Sequence, residues 1–129
     1  MVMHFQGKMK RDFTYVDDVV DGIFRIIDIY PNPLNSIHTQ SKAPFRIMNI
    51  GNNNPVSLAR FIRSIEEATG KKSQKKMLPM QSGDVPITYA DVDDLEKLIG
   101  YKPETSIEEG IKEFVSWYEE HGNKFSLSV

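Results

Sequence analysis

Residues 45–70 read FRIMNIGNNNPVSLARFIRSIEEATG, and their reading decides the fold. The first six alternate, with Phe45 and Ile47 on one face and Arg46, Met48 and Ile50 on the other. Both faces carry apolar side chains, the pattern of a strand covered on both sides. Gly51, Asn52, Asn53, Asn54 and Pro55 then form a loop, because glycine and asparagine accept turn conformations and proline stops a ladder. Ser57 stands at a helix N-cap, and Leu58, Phe61, Ile62, Ile65 and Ala68 recur at helical spacing. Gly70 stands where a left-handed C-cap is wanted. The stretch is a strand–loop–helix unit of an α/β chain.

Outward from this unit the same rules extend the pattern. Toward the N-terminus they predict a short strand over 13–16 and a helix over 18–30. That helix is capped by Asp17 or Asp18, striped by Val20, Ile23, Phe24 and Ile27, and ended by Pro31 and Pro33. Toward the C-terminus lies a weaker strand over 76–80, which Pro79 confines to an edge. A short helix follows, with Asp91 as cap, Val92, Leu95, Leu98 and Ile99 as stripe and Gly100 as stop. The last helix opens on a capping box, Ser106 with Glu109, and carries Ile111, Phe114, Val115 and Tyr118. The order strand, helix, strand, helix, strand, helix, helix predicts an α/β fold with parallel pairing. Few helices are left to cover the strand at 45–50. Either its period is misread, or it belongs to a larger sheet.

Composition sets the outer limits. The chain has 129 residues, 40% of them hydrophobic, and a net charge of −2, which fits one domain spanning 1–129. With no cysteine, disulfides, thiolate catalysis and cysteine zinc sites are excluded. No run approaches the roughly 18 apolar residues of a membrane span, and the N-terminus lacks a signal-peptide core. The charge balance does not fit a nucleic-acid binder. A cytoplasmic location is expected.

Standard catalytic patterns are absent. Four positions after each tyrosine stand Val19, Leu34, Asp93, Thr105 and Gly122, so there is no Tyr-x-x-x-Lys pair. There is no glycine-rich dinucleotide loop. His4, His38 and His121 are too scattered for a metal and read as surface residues. Three segments carry more interest. In the first, residues 8–18 (KMKRDFTYVDD), Arg11 has the forked geometry that holds phosphate oxygens. From spacing alone the stronger reading is a solvated basic turn with Arg11 paired to Asp12 or Asp17. The second, residues 49–55 (NIGNNNP), lies at the carboxyl end of a strand, where ligands bind in open α/β sheets. From the residues alone the stronger reading is a structural turn that uses Asn and Gly for positive φ. In the third, residues 80–86 (MQSGDVP), Asp84 offers two acceptors to vicinal hydroxyls, or makes an Asx turn before Pro86. Lys71, Lys72, Lys75 and Lys76 read as a solvated face.

Taken together, KMKRDFTYVDD, FRIMNIGNNNPVSL, KKMLPMQSGDVPITYADVDDL and GYKPETSIEEGIKEFVSWY resemble the carboxyl-terminal part of NAD-dependent nucleotide-sugar epimerases. These are extended short-chain dehydrogenases, and the likeness is to the UDP-glucuronate 4-epimerase branch. It runs collinearly from about residue 7 to residue 118. It implies a substrate-binding subdomain of a Rossmann-type enzyme with the Rossmann core largely missing, and so no catalytic residue and no cofactor held by this chain alone. NAD belongs to the intact family, where it takes a hydride from C4 of the sugar and returns it to the other face. By resemblance, Arg11 reaches the nucleotide diphosphate and Asp84 the ribose hydroxyls. Gln81 stands where galactose-type epimerases have a phosphate-binding arginine. Phe5 falls at the uracil pocket, although His4-Phe5-Gln6 departs from the family's aromatic–Asn pattern. The implied partner is a UDP-sugar, held weakly, with a separately encoded Rossmann half as a further partner. The alternative is a catalytically silent interaction module that forms homo-oligomers through an exposed strand or a swap.

Overall fold

The computed structural model describes residues 2–3, 8–30, 45–80 and 82–122. Four short strands and four helices are described, in the order β1 (Val2–Met3), β2 (Lys10–Arg11), α1 (Val16–Ile26), β3 (Val56–Ser57), α2 (Leu58–Thr69), β4 (Lys76–Met77), α3 (Asp93–Ile99) and α4 (Ile107–His121). β1 pairs in parallel with β4, Val2 opposite Lys76. β2 pairs antiparallel with β3, Lys10 opposite Ser57. On its other edge β2 meets residues 86–88: the Lys10 amide donates to the Pro86 carbonyl (2.9 Å) and the Thr88 amide to the Lys10 carbonyl (3.3 Å). The fold is α/β.

α2 and α4 pack together. The core is small, with Ile62, Val92, Leu95 and Pro103 fully buried and Val56 and Val115 nearly so. Phe13 lies flat on Phe61 of α2, ring centroids 4.5 Å apart. Arg60 of α2 reaches Glu108 of α4 with a two-pronged contact, both prongs 2.8 Å. The guanidinium's hydrogen bonds hold the Glu108 carboxyl down to about 2 against partial burial. Both side chains are nearly half exposed, so the pair sets the register of the two helices more than it stabilises them.

Helix ends follow the sequence closely in α2 and α4. Ser57 Oγ accepts from the Arg60 amide, and Ser106 and Glu109 form the complete capping box. Gly70 and Gly100 end α2 and α3 in left-handed conformations. Elsewhere the elements depart from expectation. Residues 12–15 join no strand and α1 starts at Val16; Phe13 spends its side chain on α2 rather than on a sheet face. α1 ends at Ile26, short of residue 30. Its N-cap is Tyr15, without a side-chain bond. Asp18 instead accepts from the Thr105 amide (3.1 Å) and hydroxyl (2.8 Å), and its carbonyl accepts from Tyr101 (2.8 Å). The first-turn carboxylate therefore ties α1 to the 101–105 loop. Val92, not Asp91, is the N-cap of α3, with Asp91 accepting from the Asp93 amide just before it. The strand predicted over 76–80 shrinks to the two residues of β4. Residues 45–50 belong to no strand among the described residues, and the Ile47 side chain is 83% exposed. His4, His38 and the loop at 31–44 lie outside the described residues.

Beyond α2 the lysine-rich segment is partly folded onto the protein. Glu66 is 6% exposed and accepts from Lys75 Nζ (2.8 Å), the Ser73 amide (2.9 Å) and the Ser73 hydroxyl (2.7 Å). Lys72 stands 3.6 Å away. The hydrogen bonds from Lys75 and Ser73 lower the Glu66 pKa from 4.5 to about 2. A carboxyl with a depressed folded pKa stabilises the fold fully above its unfolded value and loses that contribution as pH falls through the folded one. Wild type is therefore expected to lose melting temperature relative to Glu66→Gln as pH drops from about 4.5 to about 2. Above pH 5 the difference should stay constant. Thermal melts of both chains across this range check it; parallel curves would refute the assignment.

Candidate functional site

Two of the segments singled out by sequence, and the chain that follows the third, meet at one carboxylate. Asp12 follows β2 directly. Its Oδ2 accepts from the Asn53 amide (3.0 Å) and the Ala90 amide (2.9 Å), and its Oδ1 from the Asn54 amide (3.3 Å). One side chain thus binds the Arg-Asp-Phe segment, the glycine–asparagine loop and the chain beyond Asp84. Each bond is assisted by the carboxylate charge. Sequence reading counted Asp12 only as a partner for Arg11. Its partners are backbone amides 41, 42 and 78 positions away, which no local pattern signals.

The asparagine loop is wired as structure. Asn53 has φ +54°, in the left-handed region that asparagine tolerates. Asn52 is buried and donates to the Thr105 carbonyl (2.9 Å), while Asn49 donates to the Asp91 carbonyl (3.0 Å). Gly51 sits where the chains crowd: a Cβ there would stand 2.5 Å from the Ala90 Cβ and 3.3 Å from Asp12 Oδ2. Of the two readings of this loop, the structural turn accounts for every one of these contacts.

Arg11 emerges from β2 on the strand that Asp12 anchors. Its Nη1 donates to the Lys10 carbonyl (2.8 Å). Among the described residues no carboxylate pairs with it, neither Asp12 nor Asp17. Asp84 is half-buried and follows Gly83, whose φ of +90° turns the chain. Two residues on, Pro86 begins the hydrogen-bonded run beside β2. The segments of Arg11 and Asp84 are thereby laid side by side. Gln81 and Phe5 lie outside the described residues. No group of three or more His, Cys, Asp or Glu side chains suited to a metal exists among the described residues, and none of the described helices is long and apolar enough to cross a membrane.

Arg11 and the turn that bears Asp84 thus lie on adjacent segments of a partial α/β frame. The family model for GDP-mannose 4,6 dehydratase matches residues 1–114, and the chain belongs to that family. It is 43% identical to a probable UDP-glucuronate 4-epimerase of Rhizobium meliloti, over 96% of this chain and 38% of that protein. Among solved structures it is similar to UDP-glucuronic acid 4-epimerase from Bacillus cereus in complex with UDP-glucuronic acid and NAD. There the TM-score is 0.70 at 24% identity, over 92% of this chain and 35% of that one. It is also similar to MoeE5 in complex with UDP-glucuronic acid and NAD (TM-score 0.72, 25% identity, 93% and 36%). The chain spans little more than a third of the length of these relatives.

Proposed function

We propose that this chain is the UDP-sugar-binding portion of a UDP-glucuronate 4-epimerase-like enzyme, and that it anchors the nucleotide diphosphate while hydride transfer takes place elsewhere. The observation that carries this reading is the Arg11 guanidinium on β2, which no carboxylate among the described residues pairs, beside the turn that presents Asp84. A guanidinium fork fits a pyrophosphate oxygen pair, and a carboxylate fits two adjacent ribose hydroxyls. Both contacts are the same before and after the sugar inverts, so they hold substrate without favouring one transition state. The residues present do not fit NAD: the sequence has no glycine-rich phosphate loop and no tyrosine paired with a lysine four positions on. Hydride transfer is not assigned to this chain.

Charge-assisted bonds contribute about 1.5–3 kcal/mol each, against several for lost rigid-body freedom. Arg11 and Asp84 together should give a dissociation constant near ~1 mM for UDP. NMR titration of the 129-residue chain with UDP is expected to saturate in that range, with shifts at residues 10–12 and 83–88. Arg11→Ala should weaken binding about tenfold, and Asp84→Asn should weaken UDP more than inorganic pyrophosphate. Unmoved spectra at millimolar UDP would reject the reading.

A second reading rests on a separate observation. The stripe of α1 faces outward, with Ile23, Phe24 and Ile27 exposed, and Ile50 lies against Gly22 of that helix. This surface, with the stretch at 45–50 that joins no strand among the described residues, suits a silent interaction module or the seat of a separately encoded Rossmann half. Co-expression with such a half, followed by an epimerase assay, separates the two uses.

A further inference from the structure

Residues 12–15, which lead from the Arg11 strand into α1, join no strand. Phe13 stacks on Phe61, but beside that stack lies a hollow of about 140 Å³ bordered by Phe13, Tyr15, Phe61, Thr105, Gly110 and Ile111. Packing alone therefore does not fix this stretch, because its open side offers no partner atoms. Hydrogen bonds hold it instead, through a carboxylate at each end. Asp12 accepts from the amides of Asn53, Asn54 and Ala90. Asp18 accepts from the amide and the hydroxyl of Thr105. The loops that supply these donors are themselves joined, because Asn52 Nδ2 donates to the Thr105 carbonyl (2.9 Å).

These links close a ring. It runs from Asp12 along the chain to Asp18, crosses to Thr105, crosses to Asn52, and returns through Asn53 to Asp12. Thr105 gives it all three of its polar groups: amide, hydroxyl and carbonyl. Asn52 is 8% exposed, so its bond lies where an unpaired partner is costly. The Tyr101 hydroxyl donates to the Asp18 carbonyl (2.8 Å) and braces the far side. Hydrogen-bond networks carry coupling between distant groups, and a closed one passes a loosened link on to every member. Arg11 directly precedes Asp12, so the ring bears on where β2 presents its guanidinium. On the reading that Arg11 and Asp84 hold UDP, we infer that Thr105 and Asn52 are positioning residues for the diphosphate contact. They act through Asp12, by closing the ring that holds the Arg11 segment in place.

Thr105→Val keeps the shape of the side chain and removes its hydroxyl bond to Asp18, whereas Thr105→Ser keeps that bond. NMR titrations of the 129-residue chain with UDP are made at a temperature where every variant is folded. Thr105→Val and Asn52→Ala should each weaken binding about fivefold, and Thr105→Ser should bind as wild type does. Ser64→Ala is the control. It removes a buried hydroxyl bonded to the Arg60 carbonyl (3.0 Å) within α2, outside the ring, and should lower the melting temperature without changing UDP affinity. Adding Thr105→Val to Asp12→Asn should weaken UDP no further than Asp12→Asn alone, because the ring is already open. Amide exchange reads the ring without ligand: Thr105→Val should quicken it about tenfold at residues 53, 54 and 90 and leave α2 unchanged. Unchanged exchange at those three amides overturns the ring, whatever UDP does. Faster exchange with wild-type UDP affinity overturns the positioning role, as does an equal loss of affinity in Ser64→Ala. A wild-type chain that does not bind UDP refutes the reading of Arg11 and Asp84 and the positioning role with it, and the exchange data then decide the ring alone.

Discussion

Gly51→Ala is expected to lower the melting temperature of this chain by about 10 °C, a loss of about 2–3 kcal/mol for a domain of this size. The reason is distance rather than backbone conformation. A methyl group on residue 51 would stand 2.5 Å from the Ala90 Cβ, with the Ala90 Cα at 3.8 Å behind it. Nothing at this contact is the loose end of a long side chain, so the clash can be relieved only by moving backbone. The Ala90 amide is itself bonded to Asp12, and moving it breaks that bond. Removing the opposing methyl should therefore rescue the variant. Gly51→Ala with Ala90→Gly is expected to recover most of the lost stability, although Ala90→Gly alone destabilises slightly through the freer unfolded chain. Urea titrations of the four chains give the coupling directly. Additive effects of the two substitutions would show that the close approach of these segments is not what requires glycine.

How much of this was legible in the sequence follows from the range of the interactions involved. Helix α2 and the start of α4 could be read almost to the residue, because Ser57, Ser106 and Glu109 act on amides within their own first turn and Gly70 supplies the left-handed conformation that ends α2. Local chemistry of this kind survives without tertiary context. The strands were less legible. The short β-rich run 13–16 lost its ladder to a Phe13–Phe61 stack with a partner 48 positions away, a contact no local pattern announces. The run 45–50 kept the alternation of a strand but pairs with none of the described residues. Ile50 lies against Gly22 of α1 while Ile47 stays 83% exposed, an arrangement that alternation alone does not announce. At the site, the three motifs were visible but their junction was not. Asp12 acts through amides 41, 42 and 78 positions away, and Asp18 through Thr105, 87 positions away. A carboxylate whose partners are backbone amides leaves no complementary residue type to find.

That junction also carries the largest expected consequence of a single side-chain truncation. Asp12→Ala leaves the amides of Asn53, Asn54 and Ala90 without their acceptor. Losing one partner of a buried hydrogen bond costs about 1–3 kcal/mol, and more where the lost partner is charged. Water reaches the Asn54 bond, which is exposed, and the other two are part-buried; a total of about 3–4 kcal/mol follows. Asp12→Asn distinguishes geometry from simple loss. The amide keeps one oxygen, which can serve two of the three donors, but turns an NH2 toward the third, so about half the penalty is expected. The effect should also reach ligand binding. The Asp12 bond to Ala90 helps hold the chain beyond Asp84 beside β2, the strand that carries Arg11. UDP affinity in Asp12→Asn should therefore fall with Arg11 and Asp84 both intact, and amide exchange should quicken at residues 53, 54 and 90 before it does in α2. If Asp12→Asn binds UDP as wild type does while its stability drops, the carboxylate is a structural clamp alone. The positions of Arg11 and Asp84 would then be set by the β2 backbone pairing to Pro86 and Thr88 without it.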